Sequence, residues 1–168
     1  MSVDERMVHD IVQKVMANMQ ISGSVSGMHG VFKDMNDAIN ASIEAQKKVC
    51  TMTLDQREQI ISLIRKKTHE NAEILANMGV NETGMGNVGD KILKHHLTAD
   101  KVPGTEDIST IAWSGDRGLT LVEMGPFGVI GAITPATNPS ETVICNCIGM
   151  LAGGNTVVFN PHPNAKKT

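Results

Sequence analysis

The feature that most constrains the fold is the order of segments between Gly125 and Pro163. Residues 129–134 form a short, apolar, β-branched run that is typical of a buried parallel strand. Residues 141–152 carry apolar side chains at helical spacing, and Gly153-Gly154 follows where such a helix would end. Residues 156–159 form a second apolar run. Strand, helix and strand within about 35 residues predict a βαβ unit.

The two predicted strands are each followed by polar and proline-rich residues. The first ends in Thr134-Pro135-Ala136-Thr137-Asn138 and the second in Asn160-Pro161-His162-Pro163. Ligands of open α/β sheets bind beyond the carboxyl ends of the strands. We therefore predict that these segments form one wall of a groove for a nucleotide-bearing cofactor. No Gly-x-Gly-x-x-Gly follows the first strand, so the usual dinucleotide fingerprint is absent there.

Composition excludes several classes of function. The 168 residues carry a formal net charge of −3, with one Trp, three Phe and no Tyr, which argues against a nucleic-acid partner. No apolar run approaches the roughly twenty residues that cross a membrane. Three cysteines, an odd number without a signal peptide, fit a reducing cytoplasm. We interpret Cys145 and Cys147 as small core residues of one helix.

The first thirty residues predict a helix on a tether. Residues 2–19 have an apolar stripe at helical spacing, and Ser2 and Glu5 form a capping-box pattern. The linker at residues 20–31 is rich in Gly and Ser. We predict that residues 1–19 dock into a groove of another protein, with an ordinary helix packed on its own domain as the alternative. The polar face is not strongly basic, which disfavours a membrane surface.

The remaining chain, residues 32–168, is predicted as one partial domain. The sequence predicts helices at 34–50, 53–78 and 88–97, a capping box at Thr53 and Gln56, a turn at 81–87, and strands at 108–113 and 119–124 joined by a five-residue loop. A two-stranded arm is marginal alone, so the hairpin at 108–124 must pack on something, such as a partner subunit.

Basic side chains crowd the predicted helix 88–97, which carries Lys91, Lys94, His95 and His96. Neighbouring residues on a helix point about 100° apart, so the two histidines cannot bind one metal ion. No zinc motif is present, and we predict no metal site. We interpret both histidines as solvated or packed residues.

Two segments, GVIGAITPATNP and LAGGNTVVFNPHPNAKK, resemble the aldehyde dehydrogenase superfamily. The NPHP-x-AKK ending, with the motifs at 81–86 and 115–120, is similar to its CoA-acylating branch, which includes the propionaldehyde and acetaldehyde dehydrogenases of bacterial microcompartments. The resemblance covers residues 32–168. It implies an α/β fold, the N-terminal part of a Rossmann-like cofactor domain, preceded by helices. It also implies that the hairpin protrudes to join a neighbouring subunit in a homo-oligomer.

The resemblance implies a reaction in which a short-chain aldehyde, CoA and NAD give acyl-CoA and NADH. A cysteine thiolate attacks the aldehyde, and the CoA thiol then collects the acyl group. That cysteine lies in a later domain of the family, and Cys50, Cys145 and Cys147 do not match it. We therefore expect this chain to be the N-terminal part of an enzyme and inactive alone.

The resemblance also implies site residues. The segment Thr134, Pro135, Ala136 and Thr137 would run along the nicotinamide-ribose side of the cofactor. Asn138 would hold the oxyanion, because its amide is a neutral donor. An ungapped alignment places Thr137 in that role instead, and a plain turn residue before Pro139 is a third interpretation of Asn138.

The second strand end departs from the pattern of many hydrolytic relatives. Asn160, Pro161, His162 and Pro163 replace the Lys-Pro-Ser-Glu that contacts the adenosine ribose, which leaves room for CoA and disfavours a hydrolytic enzyme. His162 would contact a phosphate or ribose, or only cap the next helix.

Residues 1–19 resemble the encapsulation peptides of microcompartment enzymes. The resemblance implies binding to a shell protein and a location in the microcompartment lumen. The alternative function is a non-catalytic docking fragment recruited through this helix.

Overall fold

The computed structural model describes residues 30–168. The predicted docking helix at 1–19, and the predicted linker up to residue 29, lie outside the described residues. Contacts divide the chain into two units, Met1–Ala41 and Ser42–Thr168, and each is described by itself. The described part of the first unit contains the start of helix α1 (Met35–Val49), and the remainder of that helix belongs to the second.

The second unit contains helices, an antiparallel hairpin and a parallel strand pair. After α1 the elements are α2 (Leu54–Thr83), α3 (Val88–Lys101), a 3-10 turn (Thr105–Asp107), β1 (Ile111–Gly115), β2 (Gly118–Val122), β3 (Val129–Thr134), α4 (Pro139–Ala152) and β4 (Thr156–Pro161). Strands β3 and β4 pair in parallel through the crossover helix α4, which confirms the predicted βαβ unit and the α/β class.

Three helices are longer than the sequence predicts. Helix α2 continues to Thr83, into the predicted turn, because its backbone first becomes left-handed at Gly84, with φ of 66°. Helix α3 continues to Lys101, since no glycine or proline occurs between the predicted end and Pro103. Helix α4 begins two residues early at Pro139, because proline is tolerated in the first turn of a helix.

The predicted capping box at the start of α2 is confirmed. The Thr53 hydroxyl oxygen accepts the N–H of Gln56 at 3.2 Å, and the Gln56 side-chain oxygen accepts the N–H of Thr53 at 3.0 Å. Each bond satisfies a backbone donor that the helix itself leaves without a partner.

Removing this cap is expected to destabilise the protein modestly. We expect Thr53→Ala to lower the free energy of unfolding by about 1 kcal/mol, because the first turn of α2 loses an acceptor. Urea denaturation measures the change. Thr53→Ser keeps the hydroxyl and should stay near wild type; an equal loss in both variants would contradict the capping explanation.

Helix α2 holds the other two long helices of the second unit. Ile61 of α2 is fully buried against Ile148 and Ala152 of α4. The Arg57 guanidinium donates to the Ala152 carbonyl at 2.5 Å, and Arg65 donates to the Ala99 carbonyl at 2.8 Å. Both carbonyls belong to the last turns of their helices, where backbone acceptors lack intrahelical partners. Helix α2 therefore places the C-terminal ends of α3 and α4.

The two strands of the hairpin have different bounds from those that the sequence predicts. Residues 111–115 of β1 pair antiparallel with residues 118–122 of β2, so the turn has two residues, Asp116 and Arg117, rather than five. Pairing continues to Gly115 and Gly118 because glycine has no side chain to oppose close approach at a tight turn. Every residue of both strands is exposed.

Candidate functional site

The carboxyl ends of β3 and β4 lie side by side. In the parallel register Val129 is opposite Thr156, and Thr134 is opposite Pro161. Residues 134–138 and 160–163 therefore leave the sheet at the same edge, as the sequence predicts. This adjacency is the geometric condition for a common binding wall.

The side chains of residues 134–138, which follow β3, differ in how far they are buried. Thr134 is 1% exposed and Ala136 is 9% exposed, whereas Pro135 and Thr137 are exposed and Asn138 is partly buried. The alternation continues that of β3, because successive residues of an extended segment point to opposite faces. The side chains of Thr134 and Ala136 are therefore buried, and the contacts of these two residues with a cofactor stay a prediction.

Asn138 immediately precedes α4, but its side chain does not cap the helix. Within the described residues its side chain accepts no N–H from the first turn. Its Oδ1 atom instead accepts a hydrogen bond from the Lys94 ammonium at 3.1 Å. An ammonium group only donates, so this bond places the amide oxygen toward α3 and leaves the NH2 group facing away from Lys94. Whether Asn138 is an oxyanion donor or a turn residue before Pro139 stays a prediction.

A second lysine of α3 holds the backbone next to Asn138. The Lys91 ammonium donates to the Thr137 carbonyl at 2.7 Å and lies 3.4 Å from the Glu141 carboxylate. The Lys91 and Glu141 side chains are 5% and 7% exposed. Charges this deeply buried are tolerated only when paired and hydrogen-bonded. The ion pair therefore attaches α3 to the start of α4.

His95 extends this buried network. Its ring is fully buried, with Nδ1 2.7 Å from the Lys91 carbonyl and Nε2 2.9 Å from the Ser140 hydroxyl. Nδ1 carries a hydrogen, because a carbonyl oxygen can only accept. Of the two histidine interpretations left open by the sequence, the packed one holds for His95.

The network of Lys91, His95 and Glu141 is what the sequence interpretation missed. Lys94 and His95 follow Lys91 by three and four residues, which places each of them next to Lys91 on the surface of a helix. That spacing, together with a glutamate in the first turn of the mainly apolar helix α4, was the signal available in the sequence. The partners of Lys91 lie 46 and 50 residues away in sequence, so no local pattern pairs them.

Two surface depressions border Asn138. One, of about 290 Å3, lies between α3 and α4 and includes Leu97, Thr142 and Cys145. The other, of about 500 Å3, lies between the Met85–Asn87 turn and residues 137–138. Lys94 lines both. Asn138 is therefore accessible from two sides of the same helix junction.

Local hydrogen bonds to backbone N–H groups hold the turn that follows β4. His162 is exposed, its Nδ1 accepts the N–H of Asn164 at 3.1 Å, and its carbonyl accepts the N–H of Ala165 at 2.9 Å. Because Nδ1 accepts, the ring hydrogen of the neutral imidazole lies on Nε2. His162 thus supports the local turn and still has a donor for a ligand.

Glu82, near the end of α2, binds the turn after β4. Its carboxylate accepts the N–H groups of Lys167 at 2.9 Å and Thr168 at 2.8 Å, and the Thr168 hydroxyl at 2.7 Å. The hydroxyl contact, followed by the backbone bonds, lowers the pKa of Glu82 from its ordinary value of 4.5. This carboxylate connects the α2–α3 turn to the segment beyond His162.

The lowered pKa of Glu82 predicts a dependence on acid. A folded-state pKa below the unfolded one contributes stability that is fully present above 4.5 and is lost as pH falls through the folded value. We expect the wild-type melting temperature to fall more than that of Glu82→Gln between about pH 5 and about pH 3. Glu73→Gln, at an exposed position of α2, is the control; equal falls in wild type and Glu82→Gln would contradict the assignment.

The three cysteines differ in burial: Cys50 and Cys145 are exposed, whereas Cys147 is partly buried. Burial raises the pKa of the Cys147 thiol to about 11, so it is protonated at neutral pH. Cys145 is exposed, which makes its predicted core position wrong; it borders the depression between α3 and α4. Among residues 30–168 no group of three His, Cys, Asp or Glu side chains is placed to hold a metal ion. No helix in the described part of the chain is long and apolar enough to cross a membrane.

Comparisons with known proteins agree with the resemblance seen in the sequence. The model of the Aldehyde dehydrogenase family matches residues 14–168. The propanal dehydrogenase (CoA-propanoylating) of Salmonella typhimurium strain LT2 is 46% identical over 138 residues, which are 82% of this chain and 30% of that protein.

Solved structures are similar as well. The propionaldehyde dehydrogenase from the Clostridium phytofermentans fucose utilisation bacterial microcompartment has 78% identity and a TM-score of 0.80, over 82% of this chain and 32% of that chain. An engineered glycolyl-CoA reductase with bound NADP+ has 49% identity and a TM-score of 0.79, over the same shares. The chain thus spans about a third of the length of the relatives it matches.

Proposed function

This chain belongs to the aldehyde dehydrogenase family, and from this we propose that the full-length protein converts a short-chain aldehyde, CoA and NAD to acyl-CoA and NADH. The relatives named as CoA-propanoylating and propionaldehyde dehydrogenases support this choice of reaction. The observation that carries the proposal is the pairing of Thr134 with Pro161, because it brings the two polar strand ends together next to Asn138.

This chain's proposed share of the chemistry is to bind the cofactor and stabilise charge. As a thiolate attacks the aldehyde carbon, its carbonyl oxygen becomes an oxyanion. The Asn138 NH2 group donates to that oxygen, with the Thr137 hydroxyl as the alternative donor. The thiolate comes from a cysteine other than Cys50, Cys145 and Cys147.

The strand ends supply surfaces that fit a dinucleotide. NAD, when bound, accepts the hydride from the aldehyde carbon. Pro135 and Thr137 would lie along its nicotinamide-ribose side, since both side chains are exposed. Asn160, Pro161, His162 and Pro163 are also exposed and would border the adenosine part of NAD or CoA, with the Nε2 hydrogen of His162 as donor to a ribose or phosphate oxygen.

An assay of the full-length protein tests this function. With acetaldehyde or propanal we expect NADH to form, and acyl-CoA to appear by mass spectrometry only when CoA is present. Free acid formed equally with and without CoA would point to a hydrolytic enzyme and contradict the proposal. Replacing NAD with NADP in the same assay determines which cofactor is preferred.

We propose that the hairpin joins two copies of the protein. Ile111, Trp113, Leu119 and Leu121 are 51–64% exposed, and the register distributes them over both faces of β1 and β2. A two-stranded ribbon with apolar side chains and unpaired edges gains stability from an added partner. Light scattering of Trp113→Glu tests this, since we expect it to reduce the mass of a homo-oligomer. An unchanged mass would contradict the proposed interface.

We also propose, from the sequence pattern alone, that residues 1–19 bind a microcompartment shell protein and place the enzyme in the lumen. Deletion of these residues should abolish co-purification with shells and leave the melting temperature unchanged. Unfolding of the deletion variant would contradict a docking helix. Recruitment of a protein that lacks CoA-dependent activity would favour the alternative, a non-catalytic docking function.

A further inference from the structure

Two lysines of α3 hold two consecutive residues of the candidate site. Lys91 donates to the Thr137 carbonyl at 2.7 Å, and Lys94 donates to the Asn138 side-chain oxygen at 3.1 Å. We propose that Lys94 is a positioning residue that turns the Asn138 NH2 group toward the aldehyde oxygen. The inference deepens the proposed function and rests on it.

The reason is the two-sided chemistry of an amide. The Asn138 side chain has an oxygen that would repel an oxyanion and an NH2 group that would stabilise it, and a half-turn about the last torsion exchanges them. A partner that can only donate a hydrogen bond selects the orientation in which the amide oxygen faces it and the NH2 group faces away. Lys94 is such a partner, because its ammonium has three donors and no acceptor.

The helix that carries Lys94 is also held in place relative to Asn138. Lys91 and Lys94 are three residues apart and so lie on the same face of α3. The buried pairing of Lys91 with Glu141 attaches that face to α4, and its bond to the Thr137 carbonyl holds the backbone immediately before Asn138. The contacts of Lys91 therefore set the distance between Lys94 and Asn138. A hydrogen-bond donor that stabilises a transition state must be held in place in this way before the reaction begins.

The exposure of Lys94 distinguishes its proposed positioning role from a role in stability. Lys94 is exposed, whereas Lys91 is buried. Removing the Lys94 ammonium leaves no unpaired buried charge and no core cavity, so stability should change little. The effect of a change at Lys94 should therefore appear in the chemical step.

The test uses the full-length enzyme with Lys94→Met, Lys94→Arg and the control Lys101→Met, an exposed lysine at the end of the same helix. We expect Lys94→Met to lower kcat about tenfold, because a misdirected donor loses transition-state stabilisation. The KM values for NAD and CoA should be unchanged. Lys94→Arg, which also only donates, should recover most of kcat, and Lys101→Met should match wild type.

A double-mutant comparison decides whether Lys94 acts through Asn138. In the Asn138→Ala background we expect Lys94→Met to cause no further loss of kcat, since no amide remains to orient. Wild-type kcat in Lys94→Met, or losses that multiply in the double variant, would overturn the role of Lys94 and leave the proposed function intact. A wild-type enzyme without CoA-dependent activity would overturn the proposed function and this role with it.

Discussion

Replacing Asn138 with alanine is expected to lower kcat of the full-length enzyme by about 10²- to 10³-fold, the usual effect of removing one oxyanion donor. The variant loses the NH2 group that the Lys94 contact directs away from α3. The melting temperature should change little, because Asn138 makes no capping bond within the described residues. Steady-state kinetics with saturating CoA and NAD measure the effect.

Thr137→Val is the matched comparison at the neighbouring position. It removes only the hydroxyl and keeps the Thr137 carbonyl that Lys91 contacts. If Asn138 is the donor, this variant stays within a few-fold of wild type. The reverse ranking, with a large loss in Thr137→Val and a small one in Asn138→Ala, would assign the oxyanion to Thr137 as an ungapped alignment does.

Breaking the buried ion pair is expected to have the largest effect on stability. Lys91→Met leaves the Glu141 carboxylate buried without its partner, which typically costs about 3–5 kcal/mol. Adding Glu141→Gln should recover much of that loss, because a neutral amide is far cheaper to bury than an unpaired charge. The midpoint of urea denaturation measures both variants.

An exposed ion pair of the same residue types provides the control. Lys67 and Glu70 lie 2.6 Å apart on α2, with side chains 69% and 42% exposed. We expect Lys67→Met to leave the midpoint of urea denaturation nearly unchanged, because solvent already screens this pair. Similar losses in Lys91→Met and Lys67→Met would show that burial of the Lys91–Glu141 pair does not determine its contribution.

The βαβ unit and the start of α2 were readable from local sequence. The apolar run at 129–134, the glycine pair after Ala152 and the capping box at Thr53 each depend on residues within one or two turns of chain. Such interactions act over short sequence distances, so their signals survive without knowledge of the fold. The resemblance of the two longest motifs to the aldehyde dehydrogenases added the family, which the matches to relatives confirm.

Other features differ from what the local sequence patterns predict. Helix α2 passes through the predicted turn because asparagine, glutamate and threonine can remain helical until Gly84 adopts a left-handed backbone. Cys145 lies outside the core because packing against α2 selects which face of the apolar α4 is buried. Periodicity predicts that a helix has a buried side, and its neighbours determine which side that is.

By itself, the sequence determined that two parallel strands end in polar segments at one edge of a sheet, because strand, crossover helix and strand permit little else. Only the tertiary structure decided how that edge is held. It placed the ammonium groups of Lys91 and Lys94 on Thr137 and Asn138, residues more than forty positions away. A buried charge is stable only where a distant partner meets it, and that meeting is a property of the folded chain.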